Sequence, residues 1–149
     1  MKKKNNITII VTGSVCSGKT TFAKKLAEDN GFNYLDVSKL IKNKRMMDSY
    51  DKKRDCYVVD VRKLNNVLVN IIKNSKHSLV IDSHLSHYLN PKYVDICFVT
   101  KTDLKTLKKR LTKRKYSKEK IRENLDADIF DVCYNEAVHI GHKVIVISN

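Results

Sequence analysis

Short apolar runs alternate along this chain with longer stretches whose apolar residues recur every three or four positions. The run "ITIIVT" at 7–12 predicts a strand buried on both faces, and the stretch after it predicts a helix over 19–28. Gly31 reads as the stop of that helix, and "FNYLDV" at 32–37 as a second strand. One or two helical turns fit 38–43. The segment 44–56, "KRMMDSYDKKRDC", carries neither period and is expected to be mobile, followed by a short extended piece at 57–60. Val61, Leu64, Leu68, Ile71 and Ile72 then predict a helix over 61–74. Strands are expected at 78–82 ("SLVID") and 94–99 ("VDICFV"), separated by a loop holding the only proline, Pro91. Leu104, Leu107 and Leu111 place a helix over 103–113. Ile121, Leu125, Ile129, Val132 and Ala137 extend one further helix over 119–139, and "HKVIVIS" at 142–148 closes as a strand. Strands alternating with helices imply a parallel sheet covered on both faces, an α/β three-layer domain. Without repeats or linkers, 149 residues fit one domain, 1–149.

Between the first strand and the first helix stands "TGSVCSGKTT", residues 12–21, with the spacing Gly-x-x-x-x-Gly-Lys-Thr. That spacing is a phosphate cradle. Backbone N–H groups converge on a phosphate at the positive end of the following helix, a lysine reaches the outer phosphates, and a hydroxyl holds Mg²⁺. Gly13, Gly18, Lys19 and Thr20 occupy the required places, with the strand before and helix after that the motif demands. A magnesium site also takes a carboxylate from a neighbouring strand end, and Asp82, closing "LVID", suits that role; a strand-ending Asp that only starts a turn looks the same. Two residues on, His84 suits a proton handler or water positioner at the outer phosphate, while His87 is expected at the surface. Zinc sites take three or four ligands, and "DSHLSH" has no further cluster near it, so the expected metal is magnesium.

Composition narrows the setting. The formal net charge is +14, and eleven basic residues fall within 101–122 against Asp103 and Glu119. Two readings fit that run: a surface for polyanions such as nucleotides or RNA, or a solvated helix face. The four cysteines are widely spaced with no Cys-x-x-Cys pair, a pattern of reduced compartments; Cys97 and Cys133 are expected to be buried thiols. The apolar part of the basic N-terminal stretch, 7–11, is too short for a signal peptide, and no run of about 20 apolar residues is present. A cytoplasmic protein is expected, nuclear as well in a eukaryote.

"VTKTD" at 99–103 resembles the guanine-reading element of GTPases, yet none of the four glycines follows an Asp by three positions, so the Asp-x-x-Gly switch is missing. Kinases of small acceptors instead bring arginines on a closing lid. Arg110 and Arg114, four apart on one helix face before "KYSKEK", suit that task; a basic helix end answering its own dipole is the alternative.

These residues resemble the adenylate kinase isoenzyme 6 family, small nuclear or archaeal adenylate kinases and ATPases linked to maturation of the small ribosomal subunit. The resemblance runs from residue 7 to about 137. It rests on the cradle, on "YDKKRDCYVVD" (50–60) for the acceptor segment, on "VIDSH" for the family's Asp-x-His, and on "RLTKRKYSKEKIRENLDADIF" for the lid and the helix beyond. It implies a P-loop nucleoside monophosphate kinase fold with a parallel five-stranded sheet of order 2-3-1-4-5, an acceptor-binding segment at about 36–59 and a lid at about 113–123. Gly13, Cys16, Ser17, Gly18, Lys19, Thr20, Thr21 and Arg114 would bind ATP. Asp82 and His84 would serve both phosphoryl transfer and hydrolysis. Val15 and Cys16 stand where the family carries Pro and Gly, Lys115 where a glycine is common, and the sequence ends at Asn149 where the family has a further helix.

The expectation is therefore a monomeric, membrane-free ATP:NMP phosphotransferase acting with Mg²⁺ on AMP or a related monophosphate, with slower ATP hydrolysis. Lys19, Asp82, His84, Arg110 and Arg114 would be catalytic, Thr20 and Asp82 would hold the metal, and Lys42, Lys44 and Arg45 are candidates for the acceptor phosphate. The second reading is an assembly-factor ATPase acting on a small-subunit ribosomal protein and rRNA, with transfer incidental.

Overall fold

A computed structural model describes residues 6–52 and 56–148. The basic head at 1–5 and part of the expected acceptor segment, 53–55, lie outside the described residues. Among the described residues, seven strands and six α-helices follow one another: β1 (Thr8–Gly13), α1 (Lys19–Asn30), β2 (Asn33–Asp36), α2 (Val37–Asn43), β3 (Met47–Asp51), β4 (Cys56–Val59), α3 (Val61–Asn74), β5 (Leu79–Asp82), β6 (Ile96–Lys101), α4 (Leu104–Lys113), α5 (Lys118–Ile129), α6 (Val132–Ile140) and β7 (Val144–Ser148). Two single 3₁₀ turns, Ser86–Tyr88 and Pro91–Tyr93, occupy the loop between β5 and β6.

Five strands form one sheet in the order β2-β5-β1-β6-β7, every neighbouring pair parallel. Counting only strands of that sheet, the order is 2-3-1-4-5, as the resemblance implies. β1 explains why the chain reads as a continuous apolar run there. Ile9 and Val11 pack with Ala23 and Ala27 of α1 and with Val80. Ile10, on the opposite face, packs with Leu64, Leu68 and Ile72 of α3, with Ala137 of α6, and with Ile81, Cys97 and Val99. The strand is therefore covered on both sides, and each fully buried aliphatic contributes roughly 1.5–3 kcal/mol. β1 lies between β5 and β6, so the chain leaves its two flanks in opposite directions. The crevice at the carboxyl end of β1 is where such sheets hold ligands.

Three expectations need correction. The segment at 44–56 is not patternless in space: β3 and β4 pair antiparallel as a small separate ribbon. The middle of β3 shows no alternation of buried and exposed positions, since Asp48, Ser49 and Tyr50 are all exposed. The helix expected over 119–139 is two helices, because Phe130 and Asp131 interrupt it and Asp131 takes a left-handed φ of 51°. The apolar period runs on across that break and hides it. Cys97 is fully buried as expected, whereas Cys133 is only half-buried.

Candidate active site

The cradle is shaped by its backbone. Gly13 has φ 144° and Gly18 φ 93°, both in the region that glycine enters without strain. At Gly13 space is the harder limit: a Cβ would come within 2.6 Å of the Thr100 carbonyl oxygen and of Thr100 Oγ1. β1 and β6 thus close directly behind the loop. Ser17, fully buried, shares a 2.7 Å hydrogen bond with Thr100 Oγ1, and Thr100 donates in turn to the Thr12 carbonyl. The Ser17 side chain therefore braces the loop from the sheet side. Cys16 adopts a left-handed φ of 65° and faces the cleft half-buried, so the loop keeps its curvature despite a side chain where glycine would be unstrained.

In front of the cradle lies a cleft of about 700 Å³. Val15, Cys16, Gly18, Lys19, Thr20 and Thr21 line one end, Asp36, Ser38, Asp82, Ser83 and His84 its floor, and Arg110, Lys113, Arg114, Tyr116 and Lys120 the opposing wall. The Lys19 ammonium donates to the Ser14 carbonyl at 2.7 Å. Burial lowers its pKa from the ordinary lysine value and Asp82 opposes the shift, so an arriving phosphate would meet an under-solvated cation. Thr20 Oγ1 donates to Asp82 Oδ2 at 2.8 Å, and the Tyr34 hydroxyl donates to the same oxygen at 2.6 Å.

His84 is exposed within the cleft, yet the surrounding protein, then Lys19, His87 and Lys120, push its pKa down to about 4. Arg110 donates to the Cys16 carbonyl at 3.0 Å, tying the opposing wall to the cradle, and Arg114 donates to the Tyr116 hydroxyl at 3.3 Å. Both arginines are exposed.

The sequence-predicted residues thus divide cleanly. Lys19, Thr20, Thr21, Asp82, His84, Arg110, Arg114, Cys16 and Gly18 share the cleft; Gly13 and Ser17 stand behind it. Lys42, Lys44 and Arg45 do not line it. His87 is not a surface residue: it is 1 % exposed, with Nδ1 2.7 Å from Thr12 Oγ1 and Nε2 3.6 Å from the Glu136 carboxylate. A His in a polar, proline-containing loop reads as exposed, and only the docking of α6 over that loop shows otherwise. "VTKTD" is structural: Lys101 pairs with Asp131 and Asp103 caps α4 through the Thr106 N–H. Sequence reasoning missed Tyr116 and Lys120, which stand in the expected lid and carry a signal, an aromatic among cations directly after Arg114. Lys120 Nζ lies 3.9 Å from the Tyr116 ring centroid. It also missed Tyr34, whose partner Asp82 is 48 positions away.

Comparison with known proteins identifies the family and the fold. The family described as AAA domain, AAA_18, matches residues 9–131. The chain is 33% identical over 146 residues to an adenylate kinase isoenzyme 6 homolog of Dictyostelium discoideum, covering 98% of this chain and 82% of that protein. It is 34% identical over 129 residues to a putative adenylate kinase of Methanocaldococcus jannaschii, covering 87% of this chain and 71% of the relative. Among solved structures, the shikimate kinase of Acinetobacter baumannii in complex with shikimate aligns with a TM-score of 0.63 at 15% identity, over 97% of this chain and 86% of that one. The deoxyadenosine kinase of M. mycoides with bound dATP aligns with a TM-score of 0.59 at 14% identity, over 95% and 91%. At those identities the structures speak for the fold, that of the P-loop kinases.

Proposed function

The chain belongs to the adenylate kinase isoenzyme 6 family, within the P-loop kinases, and from that premise we propose that it transfers the γ-phosphoryl group of ATP reversibly to AMP or a related nucleoside monophosphate. The observation that carries the reading is that one cleft joins a phosphate cradle, an aspartate-threonine pair and two arginines on the facing wall. The bond from the γ-phosphorus to its bridging oxygen breaks, and a bond to an acceptor phosphate oxygen forms. Such a reaction needs positioning and charge stabilisation more than covalent chemistry.

The residues fit a magnesium ion. Thr20 and Asp82 offer only oxygen donors, 2.8 Å apart at the end of the cradle, the chemistry a hard cation prefers. When bound, Mg²⁺ would offset charge on the phosphate oxygens. The chain's own contributions are several. The Gly13–Thr20 loop holds the β-phosphate by its amides, Lys19 reaches the outer phosphates, and Thr20 and Asp82 would hold the metal. Arg110 and Arg114 stabilise the transferring group, for which Arg110 exchanges its bond to Cys16 for the phosphoryl oxygens. His84 on the cleft floor positions the acceptor oxygen or, without an acceptor, a water, so that slower hydrolysis accompanies transfer. The acceptor segment is 36–59 and the lid 113–123, both parts of one domain.

The test follows the label. With γ-³²P-ATP and AMP, wild-type protein yields labelled ADP, and Lys19→Ala removes both transfer and hydrolysis. No labelled ADP from wild type, or turnover retained in Lys19→Ala, would overturn the assignment.

A second reading is favoured by the exposed lysines at 105, 108, 109, 113, 115 and 118, which coat α4, α5 and the turn between them. On that reading nucleotide binding and hydrolysis act on a small-subunit ribosomal protein and rRNA. RNA affinity that falls steeply with salt and changes with bound nucleotide is then expected. Salt-insensitive or absent binding leaves the small-molecule kinase alone.

A further inference from the structure

Asp82 is asked to do two things that conflict. It must remain anionic beside Thr20, and it must not collapse onto Lys19, whose charge the phosphates need. Asp82 is the largest charge partner opposing the effect of burial on Lys19, yet the Lys19 ammonium is bonded to the Ser14 carbonyl. What holds Asp82 in place comes from the other side. Tyr34, on β2, reaches toward the carboxyl end of its neighbour strand β5 and donates to Asp82 Oδ2 at 2.6 Å, the same oxygen that takes the Thr20 hydroxyl. An ionised carboxylate has only acceptors to offer and a phenol one proton to give, so the direction of this bond is fixed. Its length falls in the range of charge-assisted O–H···O⁻ bonds, which are roughly twice as strong as neutral ones. Neither donor uses Oδ1.

The ring is fixed as well. Tyr34 packs with the buried cluster of Ile9, Val11 and Val80, and Lys24 Nζ sits 5.7 Å from its centroid. A phenylalanine would fill that volume equally well, so the packing alone does not explain the hydroxyl. Asp82 is 6 % exposed, which leaves little water to substitute for a missing donor.

We propose that Tyr34 is a positioning residue for phosphoryl transfer, orienting the Asp82 carboxylate toward Thr20 and away from Lys19 so that the cradle accepts a metal–nucleotide complex. The inference rests on the reading of Asp82 as a metal-side carboxylate. Groups one step removed from a metal typically change its affinity, or the activity, by about 10–100-fold when lost.

The test is binding rather than turnover. ADP affinity is measured by calorimetry with Mg²⁺ and again in EDTA, for wild type, Tyr34→Phe and Asp82→Asn. Tyr34→Phe is expected to lose about 10-fold of the affinity that Mg²⁺ adds for ADP, with ADP affinity in EDTA unchanged. Asp82→Asn is expected to lose all of the Mg²⁺ contribution. If Tyr34→Phe keeps the full Mg²⁺ contribution while Asp82→Asn loses it, the role of Tyr34 is overturned and Asp82 stands. If Tyr34→Phe weakens ADP equally in EDTA, its role is structural and the proposal fails. An Asp82→Asn variant that keeps the Mg²⁺ contribution overturns both.

Discussion

The cleft has two walls made in different ways. On the cradle side, Gly13 is jammed against Thr100, Ser17 is bonded to Thr100, and Asp82 receives both Thr20 and Tyr34, all within or against the buried sheet. On the α4–α5 side, Arg110 and Arg114 are exposed side chains at the end of a helix, the first hydrogen-bonded to the cradle and the second to Tyr116. The first wall is set before a nucleotide arrives. The second can rearrange at little cost, because surface contacts between flexible cations and their partners are weak. A phosphoryl-transfer site needs both: fixed donors where charge is bound, and movable cations that close over it.

Breaking the fixed wall should therefore act all at once. Gly13→Ala forces a Cβ to 2.6 Å from a backbone oxygen, so β1 and β6 must part. Loss of at least ~1–3 kcal/mol of stability, seen as a lowered Tm, with nucleotide affinity gone, is the expected result. An alanine variant with wild-type melting and ADP binding would show the wall to be looser than its contacts imply.

Substitutions on the movable wall should spare the fold. Arg114→Ala and Arg110→Ala are expected to melt like wild type and to lower kcat by ~10²–10³, with KM for ATP changed far less. Equal losses in binding and rate would mean the arginines serve the ground state instead. Because Arg110 also holds the Cys16 carbonyl, its removal should disturb nucleotide affinity more than removal of Arg114.

A gentler probe sharpens the contrast from behind the cradle. Burial holds His87 below the ordinary histidine pKa, with Glu136 opposing and His142 reinforcing; Thr12 and Tyr88 complete its surroundings. His84 is likewise depressed, to about 4. The unfolded chain then binds more protons than the folded one below pH about 6.5, so stability present above that pH is lost as pH falls from 6.5 toward 4. Melting temperature measured from pH 7.5 to 5 should decline, and His87→Gln should flatten the decline. A profile unchanged by His87→Gln would place the titration elsewhere.

Smallest in effect is the thiol contrast. Burial pushes the Cys97 thiol up to about 12, whereas Cys16 faces the cleft half-buried. Iodoacetamide at pH 8, read by peptide mass spectrometry, should spare Cys97 and label Cys16, and ATP should slow the latter.

The two walls also differ in how far they could be read before the structure. The cradle is local: its glycines, lysine and threonine sit within eight positions, and the apolar runs on either side declare the strand and helix that frame it. The alternation of elements implied a parallel sheet, and its strand order followed from the family resemblance. What escaped was set by pairs distant in sequence. Tyr34 reaches Asp82 across 48 positions, and His87 owes its burial to Glu136 and Thr12 on two other elements. The break at Phe130–Asp131 was masked because apolar spacing persists on both sides of a single left-handed residue.

The central claim is that the cradle hands its phosphate to a nucleotide. One assay tests it: purified protein with Mg-ATP, scoring ADP and free phosphate with and without AMP. The account predicts that AMP raises ADP with no matching rise in free phosphate. Free phosphate released at a rate that AMP leaves unchanged, with no ADP beyond it, would contradict that claim and make the protein an ATPase.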